Sequence, residues 1–217
     1  VEKHTTFAYL VGQAWFGGMR FIADARGLIP RSPLAELTSD GASAVILAAD
    51  HVVRQFTDDP VWLRSSGAGS DFLALHDRPS ITQVRATQQA SNAAYKAAGI
   101  TAADVDLAEV HGCFTIAELM ATEDLGFAGR GEGGVFAREE RGVRNQGDVC
   151  INPSGGLKSK GHPLGATGTG QAVEVFKQLR GSVEDARQVR DAEIGITHNV
   201  GGSGATCAVH VFGRDRA

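Results

Sequence analysis

Asn152-Pro153-Ser154-Gly155-Gly156-Leu157-Lys158-Ser159-Lys160-Gly161-His162-Pro163-Leu164-Gly165-Ala166-Thr167-Gly168 is a glycine-dense stretch that runs straight into a helical pattern. Glycine at that density means a backbone that turns tightly or passes close to something. Proline restricts the residue before it, so His162, held between Gly161 and Pro163, has little backbone freedom. A fixed imidazole at the mouth of a helix suits a general base. The plain alternative is a packing turn, which needs the glycines but not the histidine.

Downstream of this stretch, Gly168 to Leu179 reads as a helix. Glu193 to Thr197 and Ala205 to Phe212 read as strands joined by Asn199-Val200-Gly201-Gly202-Ser203-Gly204, an antiparallel hairpin. Upstream, Gly129 to Gly147 is polar and glycine-rich and reads as a loop, Cys113 to Leu125 as a helix stopped by Gly126, and Val105 to Val110 as a short strand. Residues 80–98 form an alanine-rich helical pattern with Ser80 as its cap, Gln83 three residues on and Gly99 as its stop. Asp58-Asp59-Pro60 precedes a strand that begins at Val61-Trp62-Leu63. Ala42 to Ala49 reads as a turn and short apolar strand, with Ala44, Val45, Ile46 and Leu47 in unbroken sequence, the pattern of a strand buried on both faces. Residues 1–36 read as irregular. Helices alternating with short apolar strands imply an α/β layered domain.

The 217 residues suit one large domain, or one domain plus part of another. Apolar residues at 42% and charged residues at 21% are ordinary for a globular protein. A net charge of −4 gives no basic surface for nucleic acid. No apolar run approaches the ~18 residues of a membrane span. Val1 to Phe7 lack the charged-then-apolar pattern of a signal peptide, and also an initiating methionine, so the chain reads as processed, split or truncated. The three cysteines, Cys113, Cys150 and Cys207, are spaced neither as a zinc ligand set nor as a disulfide framework. An odd count without a secretion signal points to reduced thiols and a cytoplasmic location. Cys150 and Cys207 read as small buried hydrophobes.

Three segments carry reactive side chains. Glu109-Val110-His111-Gly112-Cys113-Phe114-Thr115 ends a strand and opens a helix, where backbone N–H groups favour an anion and can lower a thiol's pKa. A capped helix start with a buried thiol is its plain alternative. The second segment is the His162 loop. The third, His198-Asn199-Val200-Gly201-Gly202-Ser203-Gly204, has bare N–H groups that could form an oxyanion hole, or it is an ordinary hairpin. In open α/β sheets ligands bind outside the carboxyl ends of strands, and all three segments follow strands. A thiol, two or three imidazoles and a backbone donor loop suit acyl transfer through a thioester.

Gly161-His162-Pro163-Leu164-Gly165-Ala166-Thr167-Gly168, preceded by Asn152-Pro153-Ser154-Gly155-Gly156, strongly resembles the thiolase family. Ser39-Asp40-Gly41-Ala42-Ser43-Ala44-Val45-Ile46-Leu47 is similar to the strand that closes the thiolase N-terminal domain. His111-Gly112-Cys113-Phe114, with Glu118 and Asp124-Leu125-Gly126-Phe127, is similar to thiolases of the sterol-carrier-protein type. The resemblance implies a thiolase-like layered fold, a mixed five-stranded sheet with helices on both faces. It places the end of the N-terminal half in residues 1–58 and the C-terminal domain in 59–217.

It also implies roles. A thiolase makes or breaks a carbon–carbon bond between acyl groups on coenzyme A, with the thioesters as substrates and no further cofactor or metal. His162 matches the histidine that activates the nucleophilic cysteine. Cys113 matches the cysteine that shuttles the α-carbon proton, and His111 the residue holding the enolate's thioester oxygen. The Gly201 N–H matches a donor to the other oxyanion hole. Ser154, Gly155, Gly156 and Phe114 match residues lining the coenzyme A site.

Two departures stand out. The family's His-Asp-Cys-Phe reads His111-Gly112-Cys113-Phe114, and the late Cys-x-Gly reads Asn199-Val200-Gly201. Neither Cys150 nor Cys207 sits in the Cys-x-Ser context of the nucleophile. A complementary N-terminal half or second subunit is therefore expected to supply it, within a homo- or hetero-oligomer. Two alternatives stay open: a thiolase-like retro-aldolase acting on steroid-CoA side chains with an OB-fold partner, and a non-catalytic acyl-CoA-binding scaffold.

Overall fold

The computed structural model describes residues 40–216, so the whole of the irregular segment expected over 1–36 lies outside the described residues. The elements are α1 (Asp50–Val53), β1 (Trp62–Ser70), α2 (Arg85–Ala98), β2 (Leu107–Glu109), α3 (Thr115–Asp124), α4 (Gly133–Arg138), β3 (Cys150–Ile151), α5 (Gly156–Lys160), α6 (Thr167–Leu179), β4 (Ile194–Gly201) and β5 (Thr206–Gly213). The strands form one five-stranded sheet in the order β1-β5-β4-β2-β3. β5 is antiparallel to β1 and β4, whereas β2 is parallel to β4 and β3. The expected mixed sheet between helical layers is the observed one.

Strand alternation divides the core in two. Ala108, Ile196, Val209 and Val211 point to the α2 side, and Leu107 and Phe212 to the α6 side with Val175 and Leu179. The alanines of α2 let its backbone lie on the strand. A Cβ at Gly67 would sit 2.0 Å from the Ala90 carbonyl oxygen, and one at Gly69 2.1 Å from that of Ala86. Ala86, Ala90 and Ala94 are fully buried at this contact.

Several local expectations are corrected. α2 begins at Arg85, not Ser80, because Ser80 Oγ instead accepts the Thr82 N–H in a local turn. The helix start is held from afar: Val84 N–H donates to Asp124 Oδ2 (2.7 Å) and Arg85 N–H to Asp71 Oδ2 (3.0 Å). The helix ends at Gly99, with φ 68°, as the pattern predicts. The expected loop over 129–147 contains α4, whose Phe136 enters the core and whose Gly133 N–H donates to Glu123 Oε1. Residues 42–49 form no strand, and Val45, Ile46 and Leu47 are 39%, 61% and 77% exposed. A strand buried on both faces needs neighbours, and none of the five strands pairs with this run. The hairpin turn is also tighter than expected: His198 to Gly201 belong to β4, since Val200 and Gly201 still pair with Cys207 and Thr206. Among the described residues no helix is long and apolar enough to cross a membrane.

Candidate functional site

The strand ends of β2 and β4 and the start of α6 converge on two imidazoles. His111 follows β2, and His162 lies in the turn before α6. Their rings are 4.8 Å apart and nearly perpendicular. Gly161, at φ 87° and ψ 168°, turns the chain out of α5 in a conformation closed to other residues, and His162 follows it. Both histidines are largely buried.

The hydrogen bonds give the two rings opposite protonation patterns. Thr167 Oγ1 donates to the Pro163 carbonyl (3.1 Å), so its lone pair receives His162 Nδ1–H (2.7 Å). Nε2 of His162 is then the basic nitrogen. Asn199 Nδ2–H donates to His111 Nδ1 (3.2 Å), which leaves the His111 proton on Nε2 as a donor. Burial, and then the neighbouring His162, push His111 down to about 4. Burial lowers His162 as well. Both rings are neutral at pH 7, one offering an acceptor and the other a donor.

His198 is not part of this pair. It is 3% exposed, and burial followed by the proximity of His111 pushes it down to about 3. Its Nδ1 accepts the His111 backbone N–H (3.4 Å), and its Nε2 meets Thr87 Oγ1 (3.0 Å). The third imidazole of the sequence reading is therefore a support under the first. Asn152 holds the same loop from the other side, its Oδ1 accepting the Val110 N–H at 2.9 Å.

Cys113 lies before α3, half-buried, with Phe114 at the helix's N-cap and 45% exposed. Burial pushes its thiol up despite backbone N–H groups of Phe114 and Cys113 that pull it down. The lowered pKa expected at a helix start is thus corrected: desolvation outweighs the N–H groups, and the resting state is the thiol. Gly112 has no carboxylate of its own, but a Cβ there would lie 2.6 Å from Glu118 Oε2. That carboxylate, held by Asn152 Nδ2 at 2.7 Å, fills the space beside Gly112. Cys150 and Cys207 are buried, and burial raises both, to about 12 and about 11.

Ser154 is not free to meet a ligand with its hydroxyl. Ser154 Oγ–H donates to Glu109 Oε2 (2.8 Å) while Oγ accepts from Lys160 Nζ (2.8 Å) and Gly156 N–H (3.2 Å). Lys160 also pairs with Glu109 at 3.1 Å, and the two side chains are 6% and 1% exposed. This buried cluster staples the glycine turn to β2. Gly155 and Gly156, with φ 92° and 71°, turn the chain beside it, Gly155 exposed and Gly156 buried. Gly201 closes β4 opposite Thr206. A cavity of about 390 Å³ opens beside Glu118, Asn152 and Gly155, and its lining includes neither histidine nor Cys113.

Sequence reasoning missed Gln171, Asn199, Thr167 and the Glu109–Lys160 pair. One signal was present: Thr167, Gln171, Glu174 and Gln178 recur on one face of α6, and all four are buried. A polar stripe on the helix face turned to the sheet marks groups with partners to satisfy. Among the described residues no group of three or more His, Cys, Asp or Glu is arranged to hold a metal.

Comparison with known proteins gives this geometry a family. Residues 67–214 match the thiolase C-terminal domain-like family. The chain is 52% identical over 193 residues to an acetyl-CoA acetyltransferase of Methanothermobacter thermautotrophicus, covering 89% of this chain and 49% of that protein. It is 38% identical over 174 residues to sterol carrier protein 2 of Oryctolagus cuniculus, covering 77% of this chain and 31% of that one. The chain thus spans about half the length of the first relative and about a third of the second. The solved structure of an Ltp2-ChsH2(DUF35) aldolase superposes with a TM-score of 0.68 at 22% identity, over 77% of this chain and 43% of that one, a likeness of fold. On the family match and these relatives, the chain belongs to the thiolase C-terminal domain-like family.

Proposed function

We propose that this chain is the C-terminal part of a thiolase-like acyltransferase that makes or cleaves a carbon–carbon bond between acyl-CoA thioesters. The observation that carries this reading is the pair of neutral imidazoles 4.8 Å apart, one with a basic Nε2 and one with an Nε2–H donor. In the cleavage direction a cysteine thiolate adds to the 3-keto carbon of the substrate. The bond to the α-carbon breaks, and its electron pair stays with the departing acetyl-CoA as an enolate. His162 takes the nucleophile's proton. Cys113, kept protonated by burial, supplies the proton to the α-carbon, and His111 Nε2–H faces the enolate oxygen. The Gly201 N–H serves the other oxyanion. The acyl group then passes from cysteine to the thiol of coenzyme A.

The nucleophile comes from a complementary N-terminal half or second subunit; in this chain residues 1–58 are the remnant of the N-terminal domain and linker, and residues 59–217 are the C-terminal domain. Coenzyme A lies along Gly155 and Gly156 backbone and Phe114, while Ser154 contributes through its main chain. No other cofactor is required, and the setting is cytoplasmic.

The test reconstitutes the full chain with a complementary half bearing a Cys-x-Ser helix start and follows acetoacetyl-CoA thiolysis. His162→Ala is expected to lower kcat by about 10²–10⁴, the usual worth of a positioned base. Cleavage of a steroid-CoA aldol without thiolysis would favour the aldolase reading, for which Asn199 in place of the late cysteine speaks. Thiolysis unaffected by both His162→Ala and Cys113→Ala would sink the acyl-transfer reading and leave a scaffold.

A further inference from the structure

The geometry points to Gln171, acting through Asn199, as the positioning residue that sets His111 as an Nε2–H donor. Gln171 is fully buried on α6. Its Nε2 donates to the Glu109 carbonyl (3.2 Å) and the His198 carbonyl (3.1 Å), so it bridges the ends of β2 and β4. Two main-chain carbonyls demand a donor, which fixes the amide's orientation and turns Oε1 towards Asn199. Oε1 there demands a donor in turn, so Asn199 presents Nδ2 (3.1 Å). A primary amide nitrogen carries two hydrogens, and the second meets His111 Nδ1 at 3.2 Å. Each assignment follows from the one before, and the sequence starts at backbone oxygens that have no second choice. The result is an imidazole with Nδ1 as acceptor and its proton on Nε2.

The backbone end is held independently. His198 Nδ1 accepts the His111 N–H, His198 Nε2–H donates to Thr87 Oγ1, and Thr87 donates to Cys207 Sγ at 3.6 Å. Position and tautomer of His111 are therefore set by separate relays, one from α2 and one from α6. The value of the Nε2–H as a donor to a developing oxyanion rests on the acyl-transfer reading; the tautomer does not.

Nitrogen NMR of the full chain with ¹⁵N-labelled histidine tests the relay directly. At pH 7.5 His111 should show an unprotonated Nδ1 and a protonated Nε2, and His162 the reverse. Asn199→Asp replaces the donor at Nδ1 by an acceptor and should move the His111 proton to Nδ1, leaving the His162 pattern unchanged. Gln171→Leu should leave His111 as a mixture of tautomers. A wild-type spectrum with His111 protonated on Nδ1 overturns the relay, and so does an Asn199→Asp spectrum identical to wild type. In the reconstituted enzyme Asn199→Asp should lower kcat by about 10²–10³ with little change in KM, as for loss of one oxyanion donor. The expected tautomers without thiolysis activity would refute the functional reading alone, and thiolysis with the wrong tautomer would refute the relay alone.

Discussion

Lys160→Met should destabilise the fold far more than an ordinary surface lysine would. Glu109 is 1% exposed, and its carboxylate is held by Ser154 N–H at 2.9 Å, Ser154 Oγ–H at 2.8 Å and Lys160 Nζ at 3.1 Å. Methionine fills the lysine's volume but leaves the carboxylate buried without its cation. Breaking a buried pair in this way costs about 3–5 kcal/mol. Two hydrogen bonds to Glu109 survive, which places the expected loss near the lower end, about 3 kcal/mol. For a chain of this size that lowers Tm by roughly 6–12 °C. Glu109→Gln combined with Lys160→Met removes both charges and should recover most of the loss, so a double-mutant cycle should give a coupling of at least about 1.5 kcal/mol. Urea unfolding and thermal scans of the full chain at pH 7.5 measure both. A Lys160→Met loss below about 1 kcal/mol, or a double variant no more stable than Lys160→Met, would refute the assignment of a buried, mutually dependent pair.

Three further outcomes are expected. His198 and His111 lie near 3 and 4 in the fold against an ordinary 6.5, so the unfolded chain takes up protons that the fold refuses. Their contribution is complete above pH 6.5 and is lost as pH falls towards 4, with a slope of up to about 1.4 kcal/mol per pH unit for each; urea midpoints between pH 7.5 and 5 measure it, and stability that rises on acidification would contradict it. Cys113 is the half-buried thiol and the other two are buried, so iodoacetamide should label Cys113 first, slowly at neutral pH and faster as pH rises past the ordinary 9.0; first labelling of Cys150 or Cys207 in peptide mass spectra would overturn the order. Gly67→Ala drives a methyl to within 2.0 Å of the Ala90 carbonyl, a clash with backbone that should cost about 3 kcal/mol, and unchanged Tm would show that α2 does not rest on β1 as described.

Much of the framework was legible in sequence because its signals are local. Gly99 stops α2, the short strand read over Val105 to Val110 contains β2, glycine and proline mark the His162 turn, and the strand read over Ala205 to Phe212 is β5. Where the sequence misled, a distant partner decided the local outcome. Ser80 has the chemistry of a cap, yet Asp71 and Asp124 take the helix start, and the polar segment over 129–147 becomes helical where Phe136 finds the core. Ala44 to Leu47 read as a buried strand, but pairing is a property of two segments, and no described strand lies beside them.

By itself the sequence determined that His111 and Cys113 lie where a strand gives way to a helix and that His162 lies in a glycine–proline turn before a helix, because turn chemistry and hydrophobic period are written within a few residues. Only the tertiary structure decided their chemical states. Which ring nitrogen carries a proton depends on partners up to 88 residues away, as Asn199 is from His111. Whether a thiol is acidic depends on water excluded by the whole layer above it. A carboxylate beside Gly112 comes from Glu118 one turn into α3, where only packing could place it. Hydrogen bonds and desolvation act through space, and space between residues is what the chain order does not record.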